Sequence, residues 1–322
     1  MKVLQIGAGR WGLNHLRVWK NLGVDLYVAD LSPSVKDICF SYGIPDDHFS
    51  FDYHDFIDSV STVDIVTPAQ THYELVKEMI YRGKDIFVEK PFAEDSVKAQ
   101  KLADLSSKSS IVLQVGHIFR YDPATDFIKD YISSGNLGNI QYMSGMFYGF
   151  KRPRLDGGVT ISDAIHFIDL FNYILDAVPK RVIARCDDIL KRGMDDLSWI
   201  WLNYNDVPAV IEANYFSPFK RRMVIINGEK ETVVCDFTSS QDKIKIYKNR
   251  HILSENTWVA VSGETVHQEI LPSEPLLIEL KDFLRCVETR SKPRATAQDG
   301  VNAIKIVEAA IESYKKGMEI TL

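Results

Sequence analysis

Only four cysteines occur in 322 residues (Cys39, Cys186, Cys235 and Cys286), with no CxxC pair and no histidine cluster beside any of them. That scatter excludes a zinc ribbon and a disulfide framework, so no metal is expected and the thiols read as buried groups in a reducing compartment. No apolar run approaches the roughly 20 residues that cross a bilayer. The opening MKVLQIGAG has one lysine and a short apolar stretch that runs straight into glycines, without the h-region of a secretory signal. A soluble, cytoplasmic protein is expected. Positive charge is also in short supply: the net charge is −6 and the pI about 5.8. That balance disfavours a general nucleic-acid or anionic-membrane binder, leaving room only for local basic patches. Repeats, heptads and low-complexity linkers are absent. What remains is an ordinary globular composition in a chain longer than one hydrophobic core usually organises, which implies two domains.

The first third alternates short apolar runs with helical patterns. Lys2–Ile6, Asp25–Ala29, Asp64–Val66, Asp85–Val88 and Ile111–Val115 are the runs, and Leu13, Leu16, Trp19 and Leu22 repeat at helical spacing, as does the stretch from Tyr73 to Tyr81. Apolar runs between helices are the signature of a parallel sheet covered on both faces. Residues 1–120 are therefore expected to form a Rossmann-type, doubly wound α/β domain. The rest reads differently. A helix over Pro123–Ser133 leads to a strand over Ile140–Tyr148, then a Gly-Gly pair and an apolar helix over Ile161–Leu175. From Arg181 to Tyr247 strand-like segments follow one another, among them Ser198–Tyr204, Ala209–Tyr215, Met223–Ile226 and Thr232–Phe237; helical patterns over Pro275–Thr289 and Gln298–Lys316 close the chain. Residues 121–322 are thus expected to form an α+β domain with a large, open, mainly antiparallel sheet.

Gly7-Ala8-Gly9-Arg10-Trp11-Gly12 reads GxGxxG directly after the first strand and at the opening of the first helix, the context that gives this motif meaning. Gly7 suits the tight turn, Gly9 lets backbone approach a pyrophosphate, and Gly12 allows close helix–strand packing. The N–H groups of the helix start, with Arg10 and Trp11 in the loop, would hold the phosphates. Asp30 ends the second strand, where a carboxylate bonds the adenosine ribose hydroxyls and repels the 2′-phosphate of NADP; NAD is expected over NADP. Two more loops fall at strand carboxyl ends, Thr67-Pro68 and Glu89-Lys90-Pro91, and are expected to line the cofactor cleft. Thr71 reads as an N-cap, and His72 reads either as a cofactor-facing group or as a buried structural histidine.

Lys90 is placed for chemistry. Lysine prefers the surface, and one fixed at a strand end between Glu89 and Pro91 suits a group that takes a hydroxyl proton as hydride leaves the carbon. A second constellation is Ser162, Asp163 and His166, which a regular helix would bring near one face. It reads either as a cleft wall with His166 as an acid/base group, or as a histidine satisfied at a helix start. Lys151, Arg152 and Arg154 precede it, as a solvated basic turn or as a clamp on a diphosphate or carboxylate.

Together these segments resemble the Gfo/Idh/MocA family along the whole chain: IGAGRWG at 6–12, TPAQTH at 67–72, IFVEKP at 86–91, VGHIFRYDP at 115–123, the GG…H…D stretch at 157–169 and PLLIELKDFL at 275–284. The resemblance implies that Lys90 and His166 act at the substrate carbon, that Arg120 in VGHIFRYDP faces substrate, and that the protein is a homodimer or homotetramer. Many members carry aspartate where this chain has Ser162, so the partner of His166 is open between Ser162 and Asp163. VGHIFRYDP and PRLDGGVTISDAIHFIDL are most similar to the subgroup of UDP-N-acetylglucosamine 3-dehydrogenases. The implied activity is NAD-dependent oxidation of a sugar or nucleotide-sugar hydroxyl. The alternatives within the same fold are a non-catalytic NAD-binding regulator and a redox glycosidase.

Overall fold

A computed structural model describes residues 1–322. Spatial clustering divides the chain into two compact units, one of Met1–Ile118 with Glu274–Ile304, the other of Phe119–Ser273 with Lys305–Leu322. In the first unit, strands β1 (Lys2–Ile6), β2 (Asp25–Ala29), β3 (Phe49–Ser50), β4 (Thr62–Ile65), β5 (Asp85–Glu89) and β6 (Leu113–Gly116) pair in parallel in the order β3-β2-β1-β4-β5-β6. They alternate with helices α1 (Gly12–Asn21), α2 (Pro33–Ser41), α3 (His54–Ile57), α4 (Ala69–Tyr81) and α5 (Ser96–Ser106). Val3, Leu4, Gln5 and Ile6 of β1 are all buried, as a strand covered on both faces must be. Strand order reverses between β1 and β4, which puts the ligand crevice of such a sheet at the loops that follow these two strands.

The second unit holds α6 (Pro123–Ser133), with Asp122 as its N-cap bonded by the Ala124 N–H at 2.9 Å and Pro123 at its first turn. It also holds α7 (Ile165–Leu175) and an open sheet. The strands are β7 (Ile140–Tyr148), β8 (Arg181–Asp187), β9 (Leu197–Tyr204), β10 (Val207–Asn214), β11 (Arg221–Gly228), β12 (Thr232–Asp236), β13 (Ile244–Tyr247), β14 (Arg250–Ser254), β15 (Thr257–Val261), β16 (Thr265–Gln268) and β17 (Ile320–Thr321). Nine of them form one sheet in the order β16-β13-β12-β11-β7-β10-β9-β8-β17, and β14 with β15 makes a separate exposed hairpin. Only β7–β10 is parallel; the remaining pairs of this sheet are antiparallel. Here burial alternates. Along β9, Ser198, Ile200, Leu202 and Tyr204 face the core while Trp199 and Trp201 face out, the period-two pattern of a sheet covered on one side.

Helix α8 (Pro275–Thr289) and the start of α9 (Ala297–Lys316) return to the first unit, although chain order suggested the second. Leu276, Leu280, Phe283, Cys286 and Val287 join Val3, Trp19, Val28 and Phe87 in one apolar cluster, so the α8 stripe is the cover of a first-unit core. Burying that stripe is what decides where the helix belongs, and periodicity alone cannot name the partner surface.

Candidate active site

In the first unit the loop after β1 is held from below. Gln5, buried in mid-strand, donates its Nε2 to the carbonyls of Gly7 and Gly12, both at 2.8 Å. Gly7 adopts φ +97°, and a Cβ there would meet the Val66 carbonyl oxygen at 2.7 Å; a Cβ on Gly12 would collide with the Gly7 carbonyl. Over Gly9 nothing lies within 4 Å, so the loop backbone is open where a phosphate would approach. Arg10 and Trp11 stand exposed at the loop tip. Asp30 lies against the same loop: one carboxylate oxygen accepts the Ala8 N–H at 2.7 Å, the other the Ser32 N–H at 2.8 Å. Each oxygen keeps a further lone pair for a hydroxyl donor.

Beneath the loop lies a buried polar chain. Trp19 Nε1 donates to Asp64 Oδ2 at 2.6 Å, His15 Nδ1 meets the same oxygen at 3.0 Å, and His15 Nε2 meets Glu89 Oε1 at 3.2 Å. Glu89 Oε1 also accepts from Trp11 Nε1 at 2.9 Å, and Oε2 accepts the Lys90 N–H at 3.1 Å. Burial opposes charge on His15, but Asp64 and Glu89 outweigh it and push its pKa to about 10. Burial likewise works against the Glu89 carboxylate, and the His15 hydrogen bond and charge still hold it below its ordinary range. An imidazolium between two carboxylates therefore ties the glycine-loop tip to the strand end that carries Lys90. Glu89, expected as a cofactor contact, acts here as the buried anchor of that tie.

Lys90 precedes Pro91 across a cis peptide bond. The loop is pinned on its far side by His72, whose Nδ1 meets the Pro91 carbonyl at 2.8 Å and whose Nε2 meets the Thr67 carbonyl at 2.9 Å. Burial lowers the His72 pKa, and the two carbonyls, which favour the charged ring, oppose that shift. His72 is thus a strap between the β4 and β5 loops, with both nitrogens turned inward, the structural one of its two expected roles. Thr71 lies inside the first turn of α4, its hydroxyl donating to the Pro68 carbonyl at 2.8 Å, and is not the N-cap.

In the second unit His166 stacks on Phe147 (centroids 5.3 Å apart, planes 18°) and tilts against Phe119 at 5.3 Å. The expected regular helix starts instead with a π-turn, Thr160–Ala164, closed by Asp195, whose Oδ2 accepts from the Thr160 N–H and hydroxyl at 2.8 and 2.7 Å. The wider turn redirects the residues before His166. Ser162 Oγ pairs with Tyr215 Oη at 2.7 Å, and the buried Asp163 carboxylate pairs with Lys151 Nζ at 2.7 and 3.0 Å. Arg120, expected to face substrate, is buried. Its guanidinium grips Asp169 in a buried bidentate pair (2.8 and 2.7 Å) and lies 4.8 Å over Tyr173. Arg154 is paired with Asp156 and Arg152 is exposed.

Residues 1–117 match the model of the oxidoreductase family with an NAD-binding Rossmann fold, and residues 129–322 match that family's C-terminal alpha/beta domain. The chain belongs to the Gfo/Idh/MocA oxidoreductase family. Within it, the chain is 26% identical over 345 residues to the scyllo-inositol 2-dehydrogenase (NAD(+)) of Bacillus subtilis, covering 98% of this chain and 95% of that one. It is 27% identical over 255 residues to the UDP-N-acetylglucosamine 3-dehydrogenase of Acidithiobacillus ferrooxidans, covering 79% and 77%. Among solved structures, levoglucosan dehydrogenase in complex with NADH and levoglucosan superposes with a TM-score of 0.85 at 20% identity, covering 100% and 99%.

Gln5, His15, Asp64, Tyr215, Asp195 and Arg222 escaped the reading of motifs. Gln5 and Asp64 had a legible signal, a polar residue inside an apolar parallel strand; Arg222 had none, since it occupies an ordinary position on β11. The His15 charge gives a signed expectation. A pKa raised from 6.5 to about 10 stabilises the fold fully below pH 6.5, and that contribution is lost as pH rises through 10. The stability difference between wild type and His15→Gln, read by urea denaturation, should be largest at pH 6 and shrink steadily toward pH 10; a constant difference would mean that His15 is neutral.

Proposed function

We propose that the protein is an NAD-linked dehydrogenase that oxidises a ring hydroxyl of a sugar carried on a nucleotide, such as a UDP-N-acetylhexosamine. The observation that carries the reading is the Glu89 carboxylate, which holds the exposed tip of the glycine loop with one oxygen and the Lys90 amide with the other. The backbone of Gly7–Gly12 would hold the diphosphate of NAD and Asp30 the ribose, with Arg10, Trp11, Thr67 and Pro68 lining the same end of the sheet. Bound NAD supplies the hydride acceptor. Lys90 takes the hydroxyl proton as the carbon–oxygen double bond forms and the C–H bond breaks, and His166 hydrogen-bonds that oxygen. Ser162 and Asp163, through Tyr215 and Lys151, shape the polar wall beside His166. The first unit carries the cofactor and the second the substrate and self-association functions.

Self-association is proposed through the open face of the large sheet. Ile183, Trp201, Val210, Ser144, Ile225 and Val234 lie side by side across six strands, an uncharged row with Ile183 and Trp201 more than two-fifths exposed. A second copy presenting the same row would cover it, giving a dimer or a dimer of dimers.

Three measurements check these readings. With a nucleotide sugar that yields NADH, Lys90→Ala should keep NAD affinity while losing about a hundredfold or more in turnover; near wild-type turnover would remove Lys90 from the chemistry, and bond cleavage without net NADH would mark a redox glycosidase. NAD should bind more tightly than NADP by calorimetry, and Asp30→Ser should narrow the gap; equal binding in the wild type would refute the ribose role of Asp30. Light scattering at micromolar concentration should give a dimer or tetramer, with Trp201→Glu shifting it to monomer.

A further inference from the structure

The second unit carries a patch that the chemistry of Lys90 and His166 leaves unused. Tyr148 ends β7 opposite Arg221, which begins β11, so the loops beyond these residues leave the sheet side by side. The Gly149 N–H bonds the Asn214 carbonyl at 3.3 Å, the Lys151 N–H bonds the Tyr215 carbonyl at 3.4 Å, and a Cβ on Gly149 would stand 3.2 Å from the Lys220 Cα. Across residues 149–156 and 216–222 the sequence places six cations (Lys151, Arg152, Arg154, Lys220, Arg221 and Arg222) against one carboxylate, Asp156, in a chain that is acidic as a whole. Lys151 and Arg154 are satisfied by Asp163 and Asp156. Arg152, Lys220 and Arg221 are exposed. Two phenylalanines stand among them, Phe150 at 83% and Phe219 at 68% exposure.

Arg222 is the informative member. It is half-buried, its guanidinium lies 3.6 Å from the centroid of Phe147, and it donates to the main-chain carbonyls of Tyr148 at 2.7 Å and Arg221 at 2.6 Å, with no carboxylate at ion-pair distance. Burial pushes its pKa below the usual arginine value, and the Asp163 charge acts the other way. A guanidinium withdrawn from water without a counter-ion is costly until an anion arrives. Phe147 is also the ring on which His166 stacks, which places this cation one side chain from the proposed reacting group.

We infer that these two loops bind the nucleoside diphosphate portion of the substrate, with Arg222 and Arg152 on the phosphates and Phe150 and Phe219 against the base. The inference rests on the nucleotide-sugar reading above and assigns it residues. A diphosphate matches arginine forks in charge and geometry. A nucleobase gives an exposed phenyl ring a flat partner to stack on. A free sugar or inositol has neither charge nor π-face, and would leave both the cations and the rings without a use. With the phosphates at Arg222, the sugar extends toward His166.

The test is calorimetric titration of UDP, inorganic pyrophosphate and uridine into protein saturated with NADH, so that the glycine loop is already filled. UDP should bind once per chain, about tenfold or more tighter than pyrophosphate and tighter still than uridine, and weaken as salt is raised. Arg152→Ala and Arg222→Ala should each weaken UDP about tenfold. Phe219→Ala and Phe150→Ala should weaken UDP and leave pyrophosphate unchanged, a separation that a merely cationic surface does not produce. Should Arg222→Ala fail to fold, the exposed Arg152 and Phe219 variants carry the test. UDP binding no tighter than pyrophosphate, UDP affinity unchanged in the variants, or phosphatidylserine vesicles displacing UDP would each overturn the site. If UDP binds with this variant pattern while no UDP-sugar yields NADH, the site stands and the reaction assignment fails. If a free sugar yields NADH and UDP does not bind, the reaction stands and the site fails.

Discussion

The first unit is organised around one buried charge. His15 sits between Asp64 and Glu89 with none of the three open to solvent, and each would be costly to bury without the others. The arrangement joins three elements: α1, which follows the glycine loop; β4, whose following loop lies at the crevice; and β5, which ends just before Lys90. Because Glu89 spends one oxygen on Trp11 and the other on the Lys90 amide, loop tip and lysine backbone share a single anchor. Gln5 fixes the near side of the glycine loop and His72 the far side of the lysine loop, so backbone placement here rests on buried side chains with few rotamers left to them.

The second unit depends on β7. It lies at the centre of the large sheet, with a parallel neighbour on one side, β10, and an antiparallel one on the other, β11. That placement lets Phe147 meet His166 from α7 and Arg222 from β11, and sends the cationic loops out from adjoining strand ends. The π-turn before α7 sets the other wall: it turns Ser162 to Tyr215 and Asp163 to Lys151, where a regular helix would have stacked both toward His166. The buried pair Arg120–Asp169 supports this wall from inside.

By itself, the sequence determined both fold classes, the glycine loop and the strand ends carrying Asp30, Thr67 and Lys90. These follow from local patterns, because period-two and period-3.6 burial, glycine dihedral freedom and strand-end position are properties of neighbouring residues. The tertiary structure alone decided what each polar side chain faces. His72 was open between a ligand-facing and a structural role and is spent on Pro91 and Thr67; Arg120 was expected to face substrate and is paired with Asp169; His15 and Asp64 drew no notice and carry the central charge; Arg222 looked like one more strand residue. The short strands β3 and β14–β17 and the attachment of α8 to the first unit were also decided there. The reason is common to all of them: a hydrogen bond or ion pair between residues tens or hundreds of positions apart leaves no local periodicity, and only the packed chain brings donor and acceptor together.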